Sequence, residues 1–241
     1  PLLRQLAITE TVGINMKIMI LLSFLVITNL IFSQEINVYP SFKNSSLQEI
    51  EGNVDWKILE EADGDLNFDG KADKAIILES KDSIKEKRCE DCYKLKNKSR
   101  IILVLLNDND KFKVVSQNNE FIARSDEGGM LNYLEPEISI SNNQLKIFYQ
   151  YVRSNMTYVF KHKKGSIQIE SFRSVGVESA SGNYGENIVD FNNNIVTIKN
   201  GHISEDPEND KIKRIHFNQE PKKLENFGTM NSWEVVSNVF L

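Results

Sequence analysis

The sequence predicts an all-β domain, built as an antiparallel meander of hairpins and preceded by a signal peptide. Short strand-like apolar segments recur about every 8–12 residues along most of the chain. Asn and Gly, which tolerate the backbone conformations of tight turns, separate these segments. No convincing long amphipathic helix interrupts the series. Whether the sheet stacks as a sandwich, closes into a barrel or forms part of a propeller stays open at this level.

Residues 16–34 have the pattern of a secretory signal peptide. Met16-Lys17 gives a basic start, Ile18–Phe32 is apolar apart from three polar residues, and Ser33-Gln34 is a polar exit. The apolar run falls short of the ~20 residues that span a bilayer comfortably. We therefore expect export to the periplasm or secretion, with no stable membrane span after removal of the signal.

The remaining sequence fits one domain. Residues 1–15 are expected to lie upstream of the native start and outside the fold. Residues 35–241 suit a single β-rich domain, since domains of this size commonly have one core. The chain has 29 basic and 34 acidic residues and a net charge of −5. This balance argues against nucleic acid as a partner, because nucleic-acid binding favours a basic surface. We expect a protein or a glycan as the ligand, without being able to identify it from the sequence.

In the first half of the chain, strands follow one short predicted helix around Leu47–Ile50. Trp56–Glu60 and Ala75–Glu79 are strand-like and flank an acidic loop. Arg100–Leu106 is almost continuously apolar, which predicts a central strand buried on both faces. An Asn/Asp turn then leads into Lys111–Ser116, and the two segments predict a hairpin.

The second half predicts further hairpins, each with an Asn- or Gly-containing turn. The stretch Ser179–Gly185 does not match the Gly-x-Ser-x-Gly pattern of serine hydrolases and is predicted to be a flexible loop. The predicted strands are Glu137–Ser141, Gln144–Tyr151, Met156–His162, Ser166–Phe172, Asn187–Phe191, Ile195–Lys199 and Lys211–Phe217.

The loop from Asp63 to Asp73 carries the strongest chemical signal. Oxygen side chains alternate along it, and Gly70 follows at the place where a calcium loop needs a sharp turn. An EF-hand would need Glu where Ile76 stands, so the loop is expected at the tip of a β-hairpin. The alternative is an acidic surface turn. The predicted calcium ligands are the side chains of Asp65, Asn67, Asp69 and Asp73 and the carbonyl of Lys71.

This pattern, Asp-x-Asn-x-Asp-Gly-x-x-Asp before an apolar strand, resembles the calcium loops of FG-GAP and VCBS-type repeats. Those repeats occur in integrin-like propellers and many bacterial surface proteins. The segment Trp56–Leu78 is also similar to uncharacterised exported bacterial proteins that carry a single such loop near the mature N-terminus. One loop alone disfavours a repeating propeller.

Later features of that bacterial family also have counterparts in the middle of this chain. They are a strand like Arg100–Leu106, a turn like Asn118-Asn119, a Gly-Gly loop like Gly128-Gly129 and an aromatic strand like Thr157–Lys161. Val152–Asn155 replaces the aromatic residues that the family pattern has between the last two features, so any role of those aromatics does not carry over. The resemblance implies no known activity.

Cys89 and Cys92 are the only cysteines and are separated by two residues. In an oxidising compartment they are expected to form a local disulfide. A thioredoxin-like redox motif would need a β-α-β context, and zinc would need two more ligands. The three histidines, His162, His202 and His216, lack metal-ligand spacing.

Two functional hypotheses remain. The first is a non-catalytic exported β domain whose calcium loop stabilises a binding surface. The second is a secreted hydrolase acting on polysaccharide or peptide, with carboxylates assembled from separate strands. Glu135 and Glu137 are neighbouring carboxylates at a strand start, but a catalytic pair must face each other across a cleft, and neighbours along one strand usually keep an edge soluble. Aromatic residues on adjacent predicted strands could form a ligand platform, although cross-strand packing is the commoner explanation. These aromatics are Tyr149, Tyr151, Tyr158 and Phe160.

Overall fold

The computed structural model of the protein describes residues 39–88, 92–93, 95–109 and 111–241. Ser41–Leu241 forms one compact unit. The predicted signal segment, the segment before it and the domain boundary at residue 35 lie outside the described residues. Within the described ranges, each helix is too short or too polar to cross a membrane.

The first sheet has four antiparallel strands in the order β1-β2-β5-β6. A short helix precedes it, capped by Ser46 and Glu49, which exchange hydrogen bonds with each other's backbone amides. A small two-stranded hairpin is inserted between β2 and β5. The elements are α1 (Leu47–Glu51), β1 (Trp56–Gly64), β2 (Asp73–Ser80), β3 (Ile84–Glu86), β4 (Leu95–Asn97), β5 (Arg100–Asp108) and β6 (Lys111–Asn118).

The second sheet has seven antiparallel strands, β7 to β13, each hydrogen-bonded to its neighbour in sequence. The predicted all-β meander of hairpins is therefore confirmed. Two 3₁₀ helices, Pro207–Asn209 and Leu224–Asn226, and a last hairpin complete the unit. The strands are β7 (Pro136–Ser141), β8 (Gln144–Gln150), β9 (Ser154–Lys163), β10 (Ser166–Val177), β11 (Asn183–Asp190), β12 (Ile195–His202), β13 (Lys211–His216), β14 (Glu234–Val236) and β15 (Val239–Phe240).

The predicted turn residues adopt the backbone conformations that tight hairpins need. Asn142 and Asn143 have φ of 51° and 59° between β7 and β8, and Asn194 has φ of 53° before β12. Asn is among the residues that enter this left-handed region most readily. These turns fix the register of the meander.

One predicted loop is only partly right, because residues 179–182 lie in the turn between β10 and β11 and the rest is a strand. Ser179–Gly185 was expected to be a flexible loop, but Asn183–Gly185 belongs to β11, and β10 continues to Val177 rather than ending at Phe172. The register pairs Val177 with Tyr184. The side chains of this end of the sheet are only half-buried. Their sequence therefore lacks the apolar alternation by which strands are recognised.

Both sheets contribute side chains to one hydrophobic core. Phe121, from the connection between the sheets, lies near its centre. Its ring lies 5.0 Å from that of Tyr158, 5.5 Å from that of Phe160 and 4.9 Å from that of Phe227, in edge-to-face contacts. The packing interpretation of the aromatic strands is thus confirmed for Tyr149, Tyr158 and Phe160, which are fully buried.

β5 is the buried central strand that its continuous apolar sequence predicts. Ile101 and Leu103 on one face and Ile102 and Val104 on the other are fully buried. Arg100 begins the strand and is equally buried. A strand with both faces covered has no place for alternating polar residues, which explains its composition.

The long connection Asn119–Glu135, between β6 and β7, is held by buried guanidinium groups. Arg124 is fully buried and binds both carboxylate oxygens of Glu86, at 2.7 and 2.9 Å. The same guanidinium donates to the carbonyls of Arg100, Ile122 and Asn119. Asn119 and Ile122 belong to the irregular segment, whose carbonyls have no strand partner, and these hydrogen bonds replace that partner.

Arg100 performs the same role from within the first sheet. Its Nη1 donates to the carbonyls of Ala123 and Leu134, both at 2.8 Å. Its Nε donates to Glu79 Oε2 at 3.0 Å, while Nη2 lies 2.9 Å from the same oxygen but is not aligned for a hydrogen bond. The phenol of Tyr133 also donates to Glu79.

Burial by itself raises the pKa of Glu79. Hydrogen bonds from Lys57 and Arg100, together with the charge of Arg100, outweigh burial and leave the pKa below its usual value. Because the folded-state pKa is lowered, the carboxylate stabilises the fold above its ordinary titration range. That contribution is lost as the pH falls through the lowered pKa.

The last part of the chain closes the side of the core where β6 and β10 lie. Asn118 donates to the carbonyl of Leu224, and the amide of Ile169 in β10 donates to the carbonyl of Lys222. Leu224 is fully buried. The segment therefore acts as a strap between the two sheets.

On the opposite side, β1 and β7 cross without strand hydrogen bonds. Gly64, the last residue of β1, lies directly against Ile140 of β7. A Cβ placed on Gly64 would lie 2.6 Å from Ile140 Cγ2 and 2.9 Å from the Ile140 carbonyl oxygen. Glycine is required here because the two backbones approach so closely.

Replacing Arg100 with Met should lower the free energy of unfolding by about 3–5 kcal/mol, because Glu79 and two carbonyls lose their buried partner. The control is Arg173→Met, which removes the half-exposed pair between Arg173 and Glu186 and should cost only about 0–1 kcal/mol. Urea denaturation of both variants and the wild type makes the comparison. Equal losses in the two variants would contradict the role assigned to Arg100.

Gly64→Ala should lower the free energy of unfolding by about 1–3 kcal/mol, because β1 and β7 must move apart. Gly176→Ala is the matched control, since the nearest atom to its added Cβ would be Ser154 Cβ at 3.7 Å. Thermal unfolding should show a lower midpoint for the first variant alone. A wild-type midpoint for Gly64→Ala would contradict the close approach of Gly64 to Ile140.

Candidate metal centre

The predicted metal loop joins β1 to β2, and its side chains are turned toward its own backbone. Asp65 Oδ1 accepts hydrogen bonds from the amides of Asn67 and Phe68, at 3.1 and 2.7 Å, and Oδ2 accepts one from Gly70 at 2.9 Å. Gly70 has a φ of +79°. This left-handed turn brings its amide back to Asp65 and explains why glycine stands at that position.

Asn67 and Asp69 continue the same ring of hydrogen bonds. Asn67 Oδ1 accepts from the amide of Asp69 at 3.0 Å, and Asn67 Nδ2 donates to Asp69 Oδ2 at 3.1 Å. The amide of Lys71 donates to Asp69 Oδ1 at 2.8 Å. That hydrogen bond is the largest cause of a lowered pKa at Asp69, followed by the one from Asn67. Asp69 is therefore ionised at neutral pH.

Asp73 lies in a different environment from the ring formed by Asp65, Asn67 and Asp69. It is the first residue of β2 and is fully buried. Its Oδ2 accepts from the amide of Leu66 at 2.8 Å, and its Oδ1 accepts from the amide of Asn107 in β5 at 2.9 Å. Asp73 thus fastens the loop to the neighbouring strand, whether or not it is also a metal ligand.

The structure brings Asp65, Asn67 and Asp69 together, but it does not form a cluster of three carboxylates. Across the described ranges, no group of three or more His, Cys, Asp or Glu residues is close enough to hold a metal ion. Lys71 takes part through its amide, and its Nζ donates to Asn109 Oδ1 at 3.0 Å. Its carbonyl as a ligand stays a prediction, as does coordination by Asp73.

The donor chemistry nevertheless fits a hard cation. Calcium binds carboxylate and amide oxygens, and the ring supplies both. A carboxylate has about four lone-pair sites. Asp65 uses three of them in hydrogen bonds and Asp69 two. Acceptor capacity therefore remains on Asp65 and Asp69, and Asn67 Oδ1 has accepted only one hydrogen bond.

Three asparagines in or beside hairpin turns hold this loop in place. Asn143, in the β7–β8 turn, donates to the carbonyl of Asp65 at 2.8 Å. Asn107 Nδ2, at the end of β5, donates to the carbonyl of Ala72, and Asn109 accepts from Lys71. The loop thus touches turns of both sheets. Local sequence carries no signal for contacts that join residues 35 to 78 positions apart.

The predicted disulfide is only partly within the described residues. Cys92 is exposed and is described, whereas Cys89 lies outside the described residues. The Cys89–Cys92 pairing therefore stays a prediction.

The candidate carboxylates Glu135 and Glu137 lie close to Glu60 of β1. Burial raises the pKa of Glu60, and the charges of Glu135 and Glu137 raise it further. Glu137 also lines a surface groove of about 190 Å³ beside Ile138, Lys146 and Phe148. The hydrolase hypothesis stays a prediction.

Comparison with known proteins identifies no relative of this chain. No protein-family model matches the chain, and no curated protein or solved structure matches it.

Proposed function

We propose that the protein is an exported β domain that calcium stabilises and that binds a protein or glycan partner. The observation that carries the proposal is the ring formed by Asp65, Asn67 and Asp69 at a place where turns of both sheets meet. A cation bound there would be held by oxygens of these side chains, with Asp73 and the carbonyl of Lys71 as the further ligands expected from the sequence.

Calcium would supply positive charge that offsets the repulsion among the acidic side chains of the loop. Asp65 connects through its carbonyl to Asn143 of the second sheet, and Asp73 connects to Asn107 of the first. A cation that orders the loop would therefore also order the contact between the two sheets. Its contribution to stability follows from binding the folded chain and not the unfolded one.

An exposed aromatic residue on the same loop supports a binding role. Phe68 has a φ of +65° and remains 68% exposed. A bulky residue in this backbone region is strained, and here no burial of its ring offsets that cost. Aromatic side chains contribute strongly to protein interfaces. A partner that covers Phe68 would explain its position.

If calcium stabilises the domain, adding it should raise the melting temperature. Extracellular calcium modules bind with dissociation constants of ~10⁻⁴–10⁻³ M. At ten times that constant, linkage gives about 1.4 kcal/mol, or roughly 3–6 °C for a domain of this size. Magnesium should act poorly, because it requires a tighter octahedral shell. Differential scanning calorimetry in calcium, magnesium and chelator measures the effect.

Asp69→Ala should abolish the response to calcium while leaving a folded protein, because Asp69 is exposed and bonds only within the loop. Asp82→Ala is the matched control, since it removes one exposed carboxylate elsewhere and should retain the full response. If the wild type melts at the same temperature in calcium and in chelator, the loop is only a turn and the proposal fails.

The export part of the proposal rests on the sequence of residues 16–34. The exported chain should begin near Glu35, because signal peptidase cleaves after a polar exit such as Ser33-Gln34. N-terminal sequencing of protein recovered from the periplasm or the medium tests this. Recovery of a chain that keeps Ile18–Phe32 would indicate a membrane anchor instead.

A further inference from the structure

The strand β13 is an edge of the second sheet, and none of the described strands pairs with its outer side. The other outer strands of the two sheets are covered: β1 and β7 cross each other, and β6 lies against the 3₁₀ helix Leu224–Asn226. Within the part of the chain that the structure describes, β13 makes substantial contacts with β12 alone. It therefore presents a row of backbone groups on its outer side.

Positive charge is concentrated on this strand although the chain as a whole is negative. The sequence of β13 is Lys-Ile-Lys-Arg-Ile-His. Lys211, Lys213 and Arg214 are exposed, and among the described residues none of them forms an ion pair. The net charge of the chain is −5. This edge is thus positively charged, whereas the chain as a whole is negatively charged.

The cationic side chains point to both sides of the sheet. The register pairs Ile215 with the buried Val196, so Lys213 and Lys211 lie on the same face as the core. Arg214 lies on the opposite face together with Ile212, which is 53% exposed. A strand added beside β13 would meet cations on both of its faces and one apolar side chain.

The positive charge of β13 disfavours pairing with a second copy of the chain and favours pairing with an acidic strand. A second copy pairing through β13 would set Lys and Arg against Lys and Arg, and like charges directly opposite each other destabilise a sheet. Lysines on an edge strand protect it from such self-pairing. The same charges attract an acidic strand, and Ile212 gives that strand an apolar contact that protection alone does not require.

We propose that β13 binds an extended peptide segment with acidic side chains on both faces, which adds to the sheet as an eighth strand. This mode of recognition takes its affinity from main-chain hydrogen bonds and its specificity from alternate side chains. The inference rests on the proposed binding role and names its surface and partner. It does not depend on calcium, because the loop that contains Asp65 contacts the β7–β8 turn, and β13 is the edge strand at the other end of that sheet.

The test uses fluorescence anisotropy with a labelled eight-residue peptide of Glu and Val, in which Glu residues occur on both faces. The expected result is saturable 1:1 binding that weakens as salt is added. The double variant Lys213→Glu/Arg214→Glu should bind about tenfold more weakly or not at all, because attraction becomes repulsion. The control Lys43→Glu/Lys85→Glu changes the charge equally at exposed sites elsewhere and should keep most of the affinity.

Two N-methylated peptides separate strand addition from simple charge attraction. One carries methyl groups on alternate amides and keeps one free edge, whereas the other is methylated on every amide and keeps only the charge. Strand addition requires that the first peptide binds and the second fails, since a fully methylated peptide cannot donate hydrogen bonds to β13. Equal binding of the two, or equal binding of an oligonucleotide of the same charge, overturns the proposal.

The titrations are run in calcium and in chelator alongside the melting experiments. Peptide binding with no calcium effect on melting would support the edge and reject the calcium loop. A calcium effect without binding of the acidic peptide would reject the edge alone.

Discussion

The buried guanidinium groups of Arg100 and Arg124 are the interaction on which the arrangement of the two sheets depends. The segment between β6 and β7 is irregular, yet it carries Phe121 into the centre of the core. Buried carbonyls without partners cost free energy. Arginine offers five donors from one side chain and can satisfy several carbonyls at once. Glu79 and Glu86 neutralise the positive charges of these two buried arginines.

The acidic loop between β1 and β2 lies at a second place where the two sheets are joined. Two sheets that share a core must also be joined where their strands end. Asp73 joins the loop to β5, and Asn143 joins it to the β7–β8 turn. Gly64 removes the Cβ that would force β1 away from β7. The acidic ring is therefore part of a junction that contacts both sheets.

Sequence reasoning recovered the parts of the structure that depend on near neighbours. The strands, the turns at Asn142-Asn143 and Asn194 and the place of the acidic loop at the tip of the β1–β2 hairpin all follow from local chemistry. It could not identify the partners of Arg100, because a lone arginine before an apolar run gives no sign of its burial. The half-exposed end of β10 and β11 was missed because pairing, rather than burial, maintains those strands.

The strand order also divides the entropic cost of folding unequally. In the second sheet every strand pairs with the next one along the chain, so each pairing closes only a short loop. The first sheet must pair β2 with β5 across an inserted hairpin, and Arg100 must reach carbonyls 23 and 34 residues later in the chain. Loop-closure entropy grows with the length closed. Contacts of high sequence separation thus lie in the first sheet, in the segment that joins it to the second, and in the strap around Leu224 that returns to β6.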